Sequence, residues 1–397
     1  QKYKFEPSLY IESKDPSKYR SLFDKQLKPI KLPSMRDAKE FVEKYDGIDS
    51  FTVHGTTNYI HQFITEKFPN DVKFDINHVN VVNFDIEVAS DNGFPTPEEA
   101  AYPIISIALK SSKSSVYQVW GLDEYDPSKI SIDLGGDLVQ YHHCKSEEEL
   151  LGKFLGYWTK NYPDVITGWN IRFFDIPYLV NRIAMLGTES AMKRLSPWNL
   201  INERKVRSMQ RELLAFELVG IQQADYLELF KKFGYSYGNQ ESYKLDHIAY
   251  TVLGEKKLSY EEHGNLYTLY KEDHQKFIDY NIKDVQLVNN IDKKMGLISL
   301  ALTMAYRGGV NVSDTFGTTN IWESIIYRRL LGNNIISPIT QIQKVPYAIY
   351  GATETSKNNP GSEARQTGKA HAIAGGFVKN PQVGAHDWVV SFDLNSL

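Results

Sequence analysis

A single cysteine, Cys144, stands in 397 residues, so no internal disulfide can brace this chain, as expected in a reducing cytoplasm. No apolar run approaches the roughly 20 residues needed to span a bilayer. The first residues, QKYKFEPSLY, have neither the apolar stretch nor the small-residue cleavage site of a secretion signal. A start at Gln1 leads us to expect that the natural N-terminus lies upstream. We find no internal repeat. A strong charge of either sign is also missing: the net value of −4 argues against a protein that coats nucleic acid without regard to sequence. It leaves room for an enzyme acting on nucleic acid, because acids gathered at a metal site bias the sum. The basic groups Arg204, Lys205, Arg207 and Arg211, then Lys231 and Lys232, then Arg328 and Arg329 read as solvated surface. A phosphate-binding loop is absent around Thr367-Gly368-Lys369, since Gly361 lies too far upstream and Ala370 replaces the hydroxyl.

What is present is a globular composition, 42% apolar and 24% charged, at a length that predicts two or three domains. SMRDAKEFVEKY reads as an amphipathic helix capped by Ser34. From Val79 to Val88 the period becomes two, with Val82, Phe84, Ile86 and Val88 on one face and Asn83, Asp85 and Glu87 on the other. YPIISIAL and SSVYQVWGL predict the next strands of an antiparallel meander. SEEELLGKFLGYWTKN is a capped helix, PDVITGWN a short buried strand, and DIPYLVNRIAML a helix with Asp175 at its cap and Pro177 in its first turn. ESYKLDHIAYTVLG is helical, and the long segment from Glu272 to Arg307 should break near Gly296. Strands first and helices after fit an α/β domain over residues 80–296. Pro346 to Gly376 reads as a connection, and DWVVSFDLNSL as a last strand.

Three acidic segments carry the chemistry: Phe84-Asp85-Ile86-Glu87, Phe174-Asp175-Ile176-Pro177 and Tyr280-Asn281-Ile282-Lys283-Asp284. Asp85 and Glu87 leave the same face of a strand whose apolar neighbours mark it as central, where two acids are costly. Tyr280 and Asp284 share one face of a helix. Taken alone, each has an ordinary reading: an edge strand, a helix cap for Asp175, a half-buried tyrosine beside an exposed acid. Together they supply four acids that, converging without Arg or Lys partners, repel unless a cation joins them. A pair of hard divalent metals holding a phosphate for attack by water resolves that repulsion.

This set resembles the three exonuclease motifs of family B DNA polymerases, and FDIEVASDNGFPTP, TGWNIRFFDIPYLVNRI, AMKRLSP, YLELFKKF and YNIKDV are most similar to the replicative polymerases of T-even-like phages. The resemblance implies an α/β, RNase H-like 3′–5′ exonuclease of the DEDD type over 80–296. It also implies a discontinuous α+β N-terminal domain, residues 1–79 with a return segment and linker at 297–364, and the start of a polymerase palm at 365–397. It implies two Mg²⁺ or Mn²⁺ ions, with Asp85, Glu87 and Asp284 on the tighter one, Asp85 bridging to a second, and Asp175 holding the water shell of that second ion. Tyr280 would hydrogen-bond the attacking water. Phe94 matches a position that stacks on a base of the frayed primer end, and Asn170 one near the same strand. The implied substrates are a primer–template and a single-stranded 3′ end, without membrane contact, in the cytoplasm of a host cell.

The chain departs from the family in three places. SFDLNSL resembles the first polymerase motif, so Asp393 would be one of two metal-binding aspartates for nucleotidyl transfer, and the second is absent. Polymerisation is then expected only with a C-terminal half, through which a replisome clamp would be reached; truncation, a split gene and an intein boundary remain open. The family's Tyr-x-Gly-(Gly/Ala) link aligns with Ile373-Ala374-Gly375-Gly376, whose glycines permit close approach to DNA but which lacks the ring. Between Arg204 and Glu217, where phage relatives carry a strand-separating hairpin, no Gly, Asn or Asp supplies a tight turn. A free-standing exonuclease, acting on DNA or RNA, and an RNA- or DNA-binding regulatory module are the alternatives.

Overall fold

The computed structural model describes residues 4–339, apart from 47, 49–50, 70–72, 91–92, 94 and 209–210 and the side chains of 207, 208, 211 and 212. The chain opens with β1 (Ser8–Glu12), β2 (Tyr19–Ser21), β3 (Gln26–Lys31), α1 (Met35–Lys44), β4 (Val53–His54) and α2 (Tyr59–Lys67). Next come β5 (Val81–Val88), β6 (Ile104–Ser111), β7 (Val116–Gly121), β8 (Leu138–His143), α3 (Glu147–Trp158), β9 (Val165–Gly168), α4 (Asp175–Leu186) and α5 (Glu189–Lys193). A paired β10 (Ile201–Ser208) and β11 (Arg211–Leu218) precede β12 (Gln222–Asp225), α6 (Tyr226–Phe233), α7 (Leu245–Leu253) and α8 (Leu266–Glu272). The last described elements are α9 (His274–Met295), α10 (Leu297–Gly308), α11 (Thr318–Gly332) and β13 (Ile335–Ile336). Among the described residues no helix is long and apolar enough to cross a membrane.

Six strands form the larger sheet in the order β12-β9-β5-β6-β7-β8. β5, β6 and β7 are antiparallel neighbours, whereas β9 runs parallel to both β5 and β12. β5 is therefore central, which explains its apolar content. Its Val82, Phe84 and Ile86 pack against Phe154 and Trp158 of α3 and Ile176 and Leu179 of α4. Each such burial contributes about 1.5–3 kcal/mol. The opposite face meets α9, whose Phe277, Ile278, Ile282 and Val285 pack on Ile105 and Ala108 of β6 and Tyr117 and Val119 of β7. The amide of Asn83 locks β5 to that helix, donating to the Val285 carbonyl at 2.7 Å and to Asn289 at 3.2 Å. A third core joins Val165, Ala224, α6, α7 and α10 with the far end of α9.

The smaller sheet has the order β13-β2-β3-β1-β4, so the end of the described chain returns to the strands that began it. Ile336 of β13 is buried with Tyr10 and Leu27, and His54 bridges to Pro338. Gly296 breaks the long helical segment as its sequence predicts, closing α9 and opening α10 at φ 66°.

One local expectation needs correction, and two elements were not settled by the sequence. Asp175 is not the cap of α4: Phe174 holds that place without a side-chain bond, and Asp175 is the first helical residue. Residues 201–218 form a paired antiparallel ribbon from Ile201↔Leu218 to Ser208↔Arg211 despite the missing turn residues, so cross-strand pairing sets this register. β8, which no periodicity announced, pairs parallel with β7 along the sheet's outer edge.

Candidate active site

The pleat of β5 sends Asn83, Asp85 and Glu87 to the side where α9 lies, and the helical repeat of α9 brings Tyr280 and Asp284 to meet them. Ligand atoms of Asp85, Glu87 and Asp284 all lie within 4.8 Å of one another. Asp175 approaches from α4, but its Oδ1 accepts the Ile86 backbone N–H at 3.1 Å. It flanks the triad and ties the start of α4 to β5.

The loop leading to Asp175 is held by a residue that the sequence did not single out. Asp225, buried at the end of β12, accepts the N–H of Asn170 at 3.2 Å and of Arg172 at 2.9 Å while capping α6 through the Leu227 N–H at 2.9 Å. Asn170 takes the left-handed conformation, φ 67°, that this turn requires. Arg172 forks onto Glu228 with both contacts at 2.9 Å, and Gly168 lies where a Cβ would sit 2.5 Å from the Phe84 carbonyl.

A cation does join the acids, contrary to the sequence reading. Lys257, from the segment between α7 and α8, pairs with Asp284 Oδ2 and donates to the Tyr280 hydroxyl at 3.1 Å. Burial alone would lower the pKa of this ammonium, but Asp284 and Tyr280 carry it well above its usual range. The acids shift upward: burial, followed by Asp175, Glu87 and Asp284, raises Asp85 well above the ordinary carboxylate range. Burial and then Asp284 push Glu87 up to about 8. Burial pushes Asp175 to about 7 against the bond from Ile86, and raises Asp284 against the pull of Lys257. Burial and Asp284 also raise the Tyr280 phenol.

These groups line a cleft of about 1030 Å³ whose walls add Trp169, Phe174, Tyr243, Tyr260 and Lys256. Acids, rings and ammonium groups in one open cleft suit a ligand with bases, phosphates and bound cations. The donor set fits hard divalent metals: all are carboxylate oxygens, one lysine does not neutralise them, and Asp284 Oδ1 is buried with no hydrogen-bond partner among the described residues. Of the other predicted residues, Asn170 lines the cleft. Phe94, Gly375, Gly376 and Asp393 lie outside the described residues, as do the connection from Pro346 to Gly376 and the expected last strand.

Comparison with known proteins agrees with this chemistry. The family model described as DNA polymerase family B, exonuclease domain, matches residues 47–248. The DNA-directed DNA polymerase of Escherichia phage RB69 is 31% identical over 416 aligned residues, covering 99% of this chain and 42% of the relative. That of Enterobacteria phage T4 is 29% identical over 409, covering 98% of this chain and 42% of the relative. DNA polymerase II of Escherichia coli K12 is 24% identical over 295, covering 73% and 33%. The chain thus spans less than half the length of the phage polymerases it matches.

Proposed function

The chain belongs to DNA polymerase family B through its exonuclease domain, and from that membership we propose that it removes mononucleotides from single-stranded or frayed 3′ ends of DNA, as proofreading requires. The observation that carries this reading is the meeting of Asp85, Glu87 and Asp284 from a central strand and a helix, with Asp284 Oδ1 unpartnered among the described residues. Support for an RNase H-like DEDD arrangement comes from the strand order, three antiparallel neighbours continued by two parallel strands on the β5 side.

In this reading Asp85, Glu87 and Asp284 hold Mg²⁺ or Mn²⁺, with Asp175 serving a second ion. Bound there, the ions supply positive charge that neutralises the scissile phosphate and acidifies the attacking water. The chain's own residues do the rest. The cleft admits a single strand, and its rings offer stacking worth about 1–3 kcal/mol per base without regard to sequence. Lys257 donates to the Tyr280 oxygen, which leaves the phenol proton free to orient a water or a phosphate oxygen. Water adds to phosphorus, the bond to the 3′ oxygen of the preceding nucleotide breaks, and a 5′-mononucleotide leaves. Phe94 and Asn170 are proposed to contact the strand.

We assign 1–79 and 297–364 to one discontinuous domain, a reading that the pairing of β13 with β2 supports, 80–296 to the exonuclease, and 365–397 to the start of a palm. Nucleotide addition by Asp393, DNA contact by Gly375 and Gly376, and access to a clamp are proposed to need a polypeptide equivalent to the rest of the relatives' length.

The test uses 5′-labelled single-stranded DNA and RNA with Mg²⁺ or EDTA, comparing wild type with Asp284→Ala. A one-nucleotide ladder on DNA that needs metal and is lost or greatly slowed in the variant is expected. Substrate left intact by the wild type under every condition sinks the reading.

A further inference from the structure

One strand beyond the acids, β6 brings a hydroxyl to the same neighbourhood. Ser106 stands opposite Glu87 in the β5–β6 register, and its Oγ donates to Asn281 Oδ1 at 2.8 Å. Asn281 follows Tyr280 on α9, and its Nδ2 donates to Asp85 Oδ2 at 2.7 Å. Both Ser106 and Asn281 are 0% exposed. Holding a cation requires Asp85 to be ionised, and an ionised carboxylate only accepts, so in that state the amide must present its N–H to Asp85 and its oxygen must receive the serine proton. Every atom of the relay has one assignment.

We propose that Asn281, oriented by Ser106, is a positioning residue for Asp85. The inference rests on the metal-dependent reading above. A side chain beside a metal ligand fixes which way the ligand points, and its loss weakens metal binding or activity about 10–100-fold. The chemistry of the donor matters here. Lys257 holds Asp284 with a full positive charge, which opposes an incoming cation. Asn281 holds Asp85 with a neutral amide that occupies one oxygen and leaves the carboxylate's negative charge intact. An acid at position 281 would add to the repulsion, and an apolar residue would leave Asp85 free to rotate and Ser106 without its acceptor.

The experiment titrates Mn²⁺ into the full chain by electron paramagnetic resonance and, in parallel, measures the Mg²⁺ dependence of 3′-end removal. Asn281→Leu, close in shape but without the amide, should raise the Mn²⁺ Kd about 10-fold or more. It should move the Mg²⁺ half-activation point the same way and recover much of kcat at saturating metal. Ser106→Ala should shift both in that direction by a smaller factor. Wild-type metal dependence in the two variants, even with a lowered melting temperature in EDTA, would mean a merely structural role and overturn the inference. Should Asn281→Leu fail to fold, Ser106→Ala decides alone, and an unchanged Kd overturns it. If the wild type binds Mn²⁺ with an affinity that Asn281→Leu weakens yet cleaves nothing, the positioning role stands and the proposed reaction falls. If it binds no Mn²⁺, both fall.

Discussion

Lys257 sets the resting electrostatics of the acid cluster, because it places an ammonium against Asp284 and Tyr280 beside Asp85 and Glu87. Removing one partner of a buried pair leaves the other charge uncompensated, at about 3–5 kcal/mol. Lys257→Met should therefore lower the melting temperature in EDTA, and divalent metal should raise the melting point of the variant more than that of the wild type. Thermal melts with and without Mg²⁺ check this; equal metal effects would show that the lysine is no surrogate cation. The acids make a second prediction. Glu87 and Asp175 keep their protons in the fold up to about 8 and 7, whereas unfolded carboxyls titrate near 4. The folded state binds more protons between those limits, so this stabilisation is full below about pH 4 and declines as pH rises toward 8. Metal-free melting temperatures should fall across that window, with a shallower slope in saturating Mg²⁺. Lys257 escaped the sequence reading because it sits in a segment without periodicity, and the fold alone brings it to Asp284, 27 positions away. Asp175 was misread for a related reason. An acid two residues before a proline fits a cap, and the N–H it serves lies 89 positions away.

Among elements, the pair of β5 and α9 holds most of the site, and both were legible. Alternation at period two gave the faces of β5, and the helical repeat put Tyr280 beside Asp284. The stop between α9 and α10 was legible too, since Gly296 interrupts an otherwise helical run. Beyond its chain neighbours, no atom of the described residues lies within 4 Å of the place a Cβ would take at Gly296, so Gly296→Ala meets only the backbone penalty of the left-handed conformation. It should destabilise by about 1–2 kcal/mol, read from the urea midpoint. An unchanged midpoint would mean that the break needs no glycine. β8 was missed because Leu138–His143 shows no apolar alternation at the sheet's exposed edge. The β10–β11 ribbon was left open because hairpin prediction relies on turn residues, and no Gly, Asn or Asp stands between Arg204 and Glu217.

For the whole molecule, the return of β13 to β2 joins the two ends of the described chain in one sheet. Ile336 is 1% exposed there, and Ile336→Ala should cost about 2–4 kcal/mol. The loss should be local: hydrogen exchange should quicken in β1, β2 and β3 while Mn²⁺ affinity at the acid triad stays at its wild-type value. A matching loss of metal affinity would show that the two sheets are energetically one unit. Membership of the family was visible in three motifs, but the partnership of distant segments that supports them was not.

The bond from Asn281 to Asp85 spans 196 positions of sequence. A ribosome making this chain releases the strand acids long before the helix that completes them. Domains assemble from the N-terminus during synthesis, yet here the acid triad cannot form before α9 is made. On the proposed function, the nascent polypeptide is harmless to nucleic acid around it until α9 has joined β5.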